Sequence, residues 1–479
     1  MVALHWPLAI VIAFLLILAP TGRCATRGNA PPAGHCHIGE ECRDKFPVYW
    51  WIWGQNNSNM TNRWAMEPLT KVQLGGHCSA LTPIPERITR GHPNITSEWS
   101  EGAWPRLPQN DTASQLAKHV AALEAQLPHC VPDPHYDGLA IFDFEEWSPV
   151  WEMNNCTYLG KPVYPDGLDC PTDGWRGRTQ QTSIELVRAA HPDWAESQLI
   201  EQAKDDFQRA ATRFMIVTME TVKRIRPYAT WGFYMFPYKL HGPCSQIVPR
   251  GKRGWVHDVR CGYDNPGWGE NVSALYLADW LLPAWSSVDA LFPSIYLSSG
   301  VPKDLQTAYV NENVHLALRI AEKVGIARRR SGGHDAQRLR SRPKVLPFGT
   351  LYYHGEFGPT GMVDNHTKPK PEPQMGHMSA ACLSSLKALP DTKPLWVSQE
   401  QSGLMDDFDV GVQFEASLRS GADGVVLWGG GSQPYLHTDE CKVELAAWVE
   451  AKLGPAVCAA RQNACNSTYV ASRRAKIVG

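Results

Sequence analysis

Short apolar segments alternate with longer amphipathic segments along most of this 479-residue chain. The segments predicted as strands are VYWWIW (48–53), GLAIFDF (138–144), TWGFYMF (230–236), ALFPSIYL (290–297), VLPFGTLYY (345–353) and DGVVLWGG (423–430). Between most of them, apolar residues recur at helical spacing, in the segments 111–127, 192–225, 310–327 and 408–422. Strands that alternate with helices form parallel sheets. The pattern predicts an α/β fold, most simply a (β/α) barrel.

Acidic residues stand at the end of the second predicted strand, which reads GLAIFDFEEW. Side chains two residues apart in a strand share a face, so Asp143 and Glu145 would lie side by side while Glu146 faces away. Adjacent carboxylates push their pKa values apart, which suits acid–base work. A strand that merely reaches the surface would also end in acidic residues. The barrel favours catalysis, because its active sites lie at the carboxyl ends of the strands.

Aromatic residues occupy the corresponding ends of other predicted strands, namely Tyr234, Tyr296, Tyr353 and Trp428. Core packing would explain each of them alone. Their coincidence at equivalent ends of separate strands indicates a shared pocket. Aromatic rings beside carboxylates suit a sugar, because the rings stack on the pyranose and the acids act on the glycosidic bond.

Four motifs, in this order along the chain, resemble the animal hyaluronidases, family fifty-six of the glycoside hydrolases. They are D-F-E-x-W at 143–147, W-G-F-Y-x-F-P at 231–237, P-S-I-Y at 293–296 and G-V-V-L-W-G at 424–429. The resemblance runs from about Phe46 to Pro455. It implies a distorted TIM-like (β/α) barrel with fewer than eight regular strands, stabilised by disulfides. We expect neither a metal nor an organic cofactor.

The resemblance gives the two carboxylates different roles. Glu145 matches the family's proton donor, and Asp143 matches the carboxylate that positions the N-acetyl group of the substrate. Neighbours on one strand cannot flank a glycosidic bond, as the carboxylates of ordinary retaining glycosidases do. The implied reaction is therefore substrate-assisted, with attack by the substrate's own acetamido oxygen and retention at the anomeric carbon.

The resemblance also assigns the aromatic residues. Tyr234 and Tyr296 match tyrosines that hydrogen-bond the N-acetyl group and the sugar. Tyr353 matches a further pocket tyrosine, and Trp428 matches the indole against the acetamido methyl group. The implied activity is that of an endo-β-N-acetylhexosaminidase acting on hyaluronan, with chondroitin as a chemically feasible second polymer.

Two positions depart from the family pattern. Ser148 stands where the family usually has an arginine, and Asn313 aligns approximately with a second one. Arginine binds carboxylates such as glucuronate in a fork geometry. The departures therefore leave the choice between hyaluronan and chondroitin open. They also sustain an alternative function, a non-catalytic glycosaminoglycan-binding or adhesion protein on a hydrolase-like barrel.

The chain carries signals for export. Residues 1–24 contain a short apolar stretch that ends in Pro20 and small residues, as a secretory signal peptide does. Eight N-glycosylation sequons follow, at Asn56, Asn59, Asn94, Asn110, Asn155, Asn271, Asn365 and Asn466. We expect a secreted, extracellular, glycosylated monomer without a membrane anchor. The net charge of −2 gives no indication of nucleic-acid binding.

The expected domain organisation places an N-terminal extension at 25–45, the catalytic barrel at 46–455 and a short Cys-containing tail at 456–479. Two stretches resemble insertions. The basic stretch 327–344 precedes a strand, so we expect it on the face opposite the active site, as a solvated loop or secondary matrix-binding patch. The stretch 354–400 follows a strand and would form either a flap over the cleft or a glycosylated loop.

The thirteen cysteines predict disulfides, and loss of Cys24 with the leader would leave twelve. By resemblance, Cys244 pairs with Cys261. Cys441 matches one end of a second family disulfide whose usual partner is absent. Three substitutes remain open: Cys36, Cys42 and Cys78.

A metal site is a second interpretation of the segment around Cys36. His35 and His37 flank this cysteine, but the sequence offers no matching second pair of ligands. We therefore expect Cys36 to form a disulfide.

Overall fold

Strands form where the sequence places its apolar segments. A computed structural model describes residues 36, 38–39, 42, 44–51, 72–74, 112–142, 148–154, 157–158, 161–162, 175–237, 273–297, 303–330, 341–354, 380–387, 401–428 and 438–466. The strands are β1 (Val48–Trp51), β2 (Val72–Leu74), β3 (Leu139–Phe142), β4 (Thr157–Tyr158), β5 (Lys161–Pro162), β6 (Thr230–Phe233), β7 (Ala290–Leu291), β8 (Lys344–Val345), β9 (Phe348–Thr350), β10 (Tyr352–His354), β11 (Gln401–Leu404) and β12 (Val425–Trp428).

Helices separate most of these strands. They are α1 (Thr112–Cys130), α2 (Trp175–Ala190), α3 (Glu196–Ile225), α4 (Leu282–Ser287), α5 (Lys303–Arg330), α6 (Ala380–Lys387), α7 (Asp407–Ser420), α8 (Asp439–Trp448) and α9 (Gly454–Cys465). The four helices predicted from periodicity are confirmed as α1, α3, α5 and α7. None of the helices in the described part of the chain is both long enough and apolar enough to cross a membrane.

Parallel pairing links the main strands in nearly the order of the chain. β2 pairs with β3 and β3 with β6, and a bridge from Tyr234 to Phe292 continues to the β7 segment. β7 pairs with β8, and a bridge from Ser294 to Phe348 reaches β9. β9 pairs with β12, and β12 pairs with β1. The predicted α/β class with parallel strands is therefore confirmed, and the antiparallel pairs are β4–β5 and β10–β11.

Proline interrupts two of the predicted strands. The segment 290–297 is regular only over β7 and continues as single bridges around Pro293. The segment 345–353 divides into β8, β9 and β10, with Pro347 between the first two. Proline has no N–H to donate to a ladder, so each strand is shorter than its apolar run.

Gly232 on β6 allows two strands to approach closely. A Cβ at this position would lie 2.3 Å from Ala290 O and 2.6 Å from the ring of Phe292. The absence of a side chain at Gly232 therefore allows β6 to approach the β7 segment. Tyr234, a predicted site residue, directly follows β6.

Helix α7 is defined at both ends by its sequence. The side chain of Asp406 accepts a hydrogen bond from Asp409 N (2.9 Å), as an N-cap does. Gly421 ends the helix with φ 106°, a left-handed conformation that costs glycine little. The two caps define where α7 begins and ends. Between them, one buried side chain of the helix forms hydrogen bonds to the sheet.

That side chain is the amide of Gln413, which is 1% exposed. Its Nε2 donates to Thr350 O (2.9 Å), and its Oε1 accepts from Thr350 N (2.8 Å). Gln413 therefore satisfies both backbone groups at the end of β9. Gly349 leaves room for it, because a Cβ there would lie 2.3 Å from Gln413 Oε1.

We expect Gln413→Leu to lower the free energy of unfolding by about 2–3 kcal/mol, because it leaves the buried N–H and C=O of Thr350 without their partner. Urea denaturation measures the effect. Glu415→Leu, on an exposed face of the same helix, is the matched control and should change stability by less than about 0.5 kcal/mol. Equal effects of the two substitutions would contradict this role of Gln413.

The described ends of the basic stretch lie at the amino ends of the strands. α5 extends to Arg330, so the stretch begins inside a helix. Arg328 donates to Val288 O, just before β7. Arg342 donates to both carboxylate oxygens of Asp423 (2.8 and 3.0 Å), just before β12. These arginines hold the amino-terminal side of the sheet, away from the strand ends that carry Tyr234 and Trp428.

Three disulfides occur among the described residues. Cys36 pairs with Cys458 and Cys42 with Cys465, so the N-terminal segment is tied to α9. The predicted disulfide use of Cys36 is confirmed. The third disulfide joins Cys441 to Cys382.

The partner of Cys441 corrects the prediction, since none of the three cysteines proposed from the sequence pairs with it. The helix α6, which carries Cys382, packs directly on α8, which carries Cys441. Their Cα atoms are 4.6 Å apart, within the range that a disulfide spans. Cys382 lies inside the stretch assigned to an insertion, where a core cysteine was not expected.

Candidate active site

Tyr234 stands directly after β6, where three strand segments meet. Its backbone N donates to Phe142 O (2.7 Å), and its bridge to Phe292 joins the next segment. The side chain is 2% exposed. Its ring lies 4.9 Å from the ring of Phe348 and 6.2 Å from that of Tyr296. The structure thus brings Tyr234 and Tyr296 together.

Strand register places these tyrosines on one face with Trp428. Bridge partners on parallel strands point to the same side, and so do residues two apart. Trp428 is the register partner of Thr350, which lies two residues after Phe348. Trp428 is half-buried at the end of β12, as is Tyr296 beyond the β7 segment. One face at the carboxyl ends of the parallel strands therefore carries the tyrosine pair and the indole.

The chain turns sharply after Tyr234. Met235 adopts φ 68°, a conformation that non-glycine residues rarely take, and it is 2% exposed. Its N–H nevertheless donates to Phe292 O (2.9 Å), so the turn is held by the neighbouring segment. Backbone strain of this kind persists where surrounding structure over-determines it, most often at functional sites.

Tyr353 has a different environment from the other predicted pocket residues. It lies on β10, which pairs with the antiparallel strand β11. Its hydroxyl donates to Asp409 Oδ2 (2.5 Å) and accepts from Asp406 N (3.1 Å). Burial raises the pKa of both Tyr353 and Asp409, while their hydrogen bond lowers the pKa of Asp409. The phenolic proton is therefore committed to a buried carboxyl group.

Asp143 and Glu145 lie outside the described residues, which resume at Ser148 after Phe142. Cys244 and Cys261 also lie outside them. Of the eight sequon asparagines, Asn466 alone falls within the described ranges, where it is exposed and follows the last turn of α9. Within those ranges, no group of three or more His, Cys, Asp or Glu side chains is placed to hold a metal ion.

Ser148 and Asn313, the two departures from the family pattern, are both buried. Ser148 Oγ accepts from Val150 N (3.2 Å) and lies 3.4 Å from the hydroxyl of Tyr276. Asn313 Nδ2 donates to Tyr309 O (2.9 Å) inside α5. Both side chains use their polar groups within the protein, so neither supplies the cationic fork of an arginine.

Two buried polar residues of the parallel ladder were not predicted from the sequence, Ser294 on the aromatic face and Gln413 on the helix side of β9. Ser294 lies between Phe292 and Tyr296 on the same face, and it is 4% exposed. Its place in P-S-I-Y, two residues before Tyr296, was a usable signal. Gln413 had no comparable signal, because a glutamine within an amphipathic helix predicts only an exposed side chain.

Comparison with known proteins places the chain in a family. The family profile described as Hyaluronidase, glycoside hydrolase family 56, matches residues 92–331, half of the chain. The chain belongs to this family. The mouse (Mus musculus) protein Hyaluronidase-1 is 31% identical to it over 216 residues, which make up 45% of this chain and 38% of that protein. Chondroitin hydrolase of Caenorhabditis elegans is 30% identical over 196 residues, 41% of this chain and 35% of that protein.

The fold is similar to that of bee venom hyaluronidase. One crystal structure of that protein covers 86% of this chain and 100% of its own, with TM-score 0.54 and 20% identity. A second, in complex with a hyaluronic acid tetramer, covers 86% and 98% with TM-score 0.51 and 21% identity. The sequence matches to mouse Hyaluronidase-1 and Chondroitin hydrolase span less than half the length of those proteins, whereas the structural match spans most of the chain.

Proposed function

We propose that this chain is a secreted endo-β-N-acetylhexosaminidase that hydrolyses hyaluronan, and also chondroitin, with retention at the anomeric carbon. The observation that carries the proposal is the single face shared by Tyr234, Tyr296 and Trp428. These side chains lie at the carboxyl ends of parallel segments, and Tyr234 directly follows the strand that pairs with β3, which leads into Asp143. This is the position where (β/α) barrels hold their catalytic groups.

The parallel ladder supports a distorted TIM-like barrel with fewer than eight regular strands. From β2 to β12 each pairing joins segments in chain order, and β1 returns to pair with β12. Cα atoms of β1 and β2 also approach within 8 Å, which would close the ladder. Interior side chains of such a barrel form layers, and the uppermost layer would carry the pocket residues.

Strand register also supports the placement of the carboxylates. Phe142 pairs with Phe233, so the next residues along the two strands, Asp143 and Tyr234, would be neighbours on the inner face. Glu145 would follow two residues later on that face. The acid pair would then stand beside the tyrosine whose ring contacts Tyr296 and Phe348.

In the proposed mechanism, the substrate's acetamido oxygen attacks the anomeric carbon while Glu145 protonates the leaving oxygen. Asp143 stabilises the positive charge that develops on the acetamido nitrogen. Glu145 then acts as the base that activates water, which opens the cyclic intermediate. Tyr234 and Tyr296 bind the reacting sugar, Trp428 covers the acetamido methyl group, and Tyr353 contributes its ring because its phenolic proton is held by Asp409.

The names of the similar proteins support both polymers, since they include hyaluronidases, a chondroitin hydrolase and a hyaluronic acid complex. Reducing-end release from each polymer between pH 4 and 8 tests the activity, and NMR of the first-formed anomer tests retention. We expect cleavage of both polymers. A folded wild-type protein that binds either polymer without cleaving it would favour the non-catalytic binding protein, which the buried Ser148 and Asn313 keep in consideration.

Export is supported by the leader, the sequons and the disulfides, since such bonds persist in oxidising compartments. The exposed Asn466 beside the Cys42–Cys465 disulfide is an accessible acceptor for a glycan. Enzymatic removal of N-glycans from the protein secreted by cultured animal cells should therefore increase its electrophoretic mobility.

A further inference from the structure

Ser294 lies within the row of residues that forms the aromatic face. It is the bridge partner of Phe348, so the two side chains point to the same side. Phe348 in turn packs its ring against Tyr234, at 4.9 Å. Along its own segment Ser294 comes two residues after Phe292, the bridge partner of Tyr234, and two before Tyr296. Three independent relations therefore place its side chain on the face of the proposed site.

The hydroxyl of Ser294 is buried and has no hydrogen-bond partner among the groups in the described part of the chain. The residue is 4% exposed. A buried hydroxyl without a partner is unfavourable, and the great majority of such groups in proteins are paired. Its neighbours on this face are mainly aromatic rings, which do not satisfy a hydroxyl well. The sequence nevertheless places a serine where the strand could hold an apolar side chain.

We propose that Ser294 is a substrate-contact residue whose hydroxyl hydrogen-bonds the N-acetylhexosamine unit at the face formed by Tyr234 and Tyr296. The inference rests on the proposed function. A serine hydroxyl offers one donor and two lone pairs, so it can pair with an acetamido group or a ring hydroxyl. A site built to hydrogen-bond a polar group of its ligand discriminates against ligands that lack it, because the buried group then stays unpaired. Ser294 would thus contribute to recognition of the acetamido sugar.

The proposal predicts that Ser294→Ala affects activity but does not lower stability. Ser294→Ala removes a hydroxyl that has no partner in the free protein, so we expect the Tm to stay unchanged or to rise. The same substitution should lower kcat/KM for a hyaluronan oligosaccharide by about 10- to 100-fold, because one hydrogen bond to the sugar is lost. A residue with a purely structural role would show the reverse, a lower Tm with activity falling only through loss of folded protein.

A matched control exists in α7. Ser417 is also buried, at 0% exposure, and in the described residues its hydroxyl likewise has no hydrogen-bond partner. It lies on a helix outside the aromatic face. Ser417→Ala should therefore give the same unchanged or higher Tm, with kcat/KM equal to wild type.

The experiment measures Tm, kcat and KM for the full-length wild type, Ser294→Ala and Ser417→Ala with a hyaluronan oligosaccharide. Calorimetry then measures Kd for the same oligosaccharide on the Glu145→Gln background, with and without Ser294→Ala. We expect a 10- to 100-fold weaker Kd when Ser294 is replaced. An active wild type with kcat/KM of Ser294→Ala within twofold would overturn this inference alone, as would a loss of several degrees in Tm.

The binding measurement distinguishes this inference from the proposed function. If the wild type binds but does not cleave, a weaker Kd for Ser294→Ala supports the contact while the catalytic proposal fails. Unchanged binding in that case overturns the contact. A folded wild type that neither binds nor cleaves the oligosaccharide overturns both.

Discussion

Glu145→Gln is expected to lower kcat on hyaluronan by about 10²- to 10⁴-fold, the range that positioned acid–base catalysis contributes. The substitution keeps the size and most hydrogen-bonding capacity of the side chain but removes the transferable proton. KM should change little, because the acid acts on the leaving oxygen in the transition state. Initial rates of reducing-end release at the pH optimum of the wild type measure the effect.

The adjacent Glu146 provides the matched control. It has the same side chain and, if β3 continues to this point, the period of a strand would turn it to the opposite side from Glu145. Glu146→Gln should therefore keep kcat within about threefold of wild type. If both variants lose activity equally, the strand register used to place Asp143 beside Tyr234 is wrong. If Glu145→Gln keeps near-normal activity, the proposed mechanism is wrong as a whole.

Asp143→Asn tests the second half of the mechanism in a different way. It removes the charge that would stabilise the acetamido nitrogen as the intermediate forms, yet it leaves the proton donor in place. Loss of activity in this variant together with intact binding would support substrate assistance. An enzyme with a protein nucleophile elsewhere would tolerate the change better.

Much of this fold could be predicted because its local signals agree. The apolar runs 48–53, 138–144 and 423–430 each contain an observed parallel strand, and helical periodicity gave α3 and α7. Interior parallel strands are apolar throughout, so they are conspicuous in a sequence. Proline was the exception, because Pro293 and Pro347 break regular pairing inside runs whose apolar pattern is continuous.

The details that could not be predicted depend on long-range packing. Cys382 pairs with Cys441 because α6 docks on α8, and no spacing rule connects residues 59 apart. The amide of Gln413 binds Thr350 across 63 positions for the same reason. The hydroxyl of Tyr353 donates a hydrogen bond to Asp409 on α7. The position of Tyr353 at the end of its own strand gave no indication of this partner.

Acid should destabilise the wild-type protein through His119, with an effect of about 4–5 kcal/mol between pH 6.5 and 3. His119 lies on α1, is 2% exposed and packs its ring 4.5 Å from that of Phe214 on α3. Burial lowers its pKa from 6.5 to about 3. The folded protein therefore keeps this imidazole neutral at pH values where the unfolded chain protonates it.

Hydrogen bonding explains why the fold cannot accept the proton. Thr218 uses its one hydroxyl proton to bond Phe214 O (2.7 Å), so His119 Nε2, at 2.7 Å from Thr218 Oγ1, must be the donor. Nδ1 is then the unprotonated nitrogen, and the described residues give it no hydrogen-bond partner. Protonation at Nδ1 would place a charge in an apolar contact between two helices, without a group to stabilise it.

The sign of the pH dependence follows from these two pKa values. Well above pH 6.5 His119 is neutral in both the folded and the unfolded state, and its burial does not reduce the free energy of unfolding through protonation. As the pH falls towards 3, the unfolded state binds one more proton than the folded state, and the free energy of unfolding decreases by about 1.4 kcal/mol per pH unit. His119→Gln, which can still donate to Thr218, should remove this part of the slope.

Urea denaturation at pH steps from 4 to 8 measures the slope, with His315→Gln as the control, because His315 is exposed on α5. Wild type and His315→Gln should lose about 2 kcal/mol more than His119→Gln between pH 6.5 and 4.5. Parallel curves for all three proteins would show that His119 does not set the acid limit. A glycosidase needs its catalytic acid protonated, so low pH favours catalysis. The buried His119 has the opposite effect on the enzyme, because low pH lowers the free energy of unfolding through this residue. His119→Gln should accordingly retain activity longer than wild type during incubation at pH 4.5, with an unchanged initial rate.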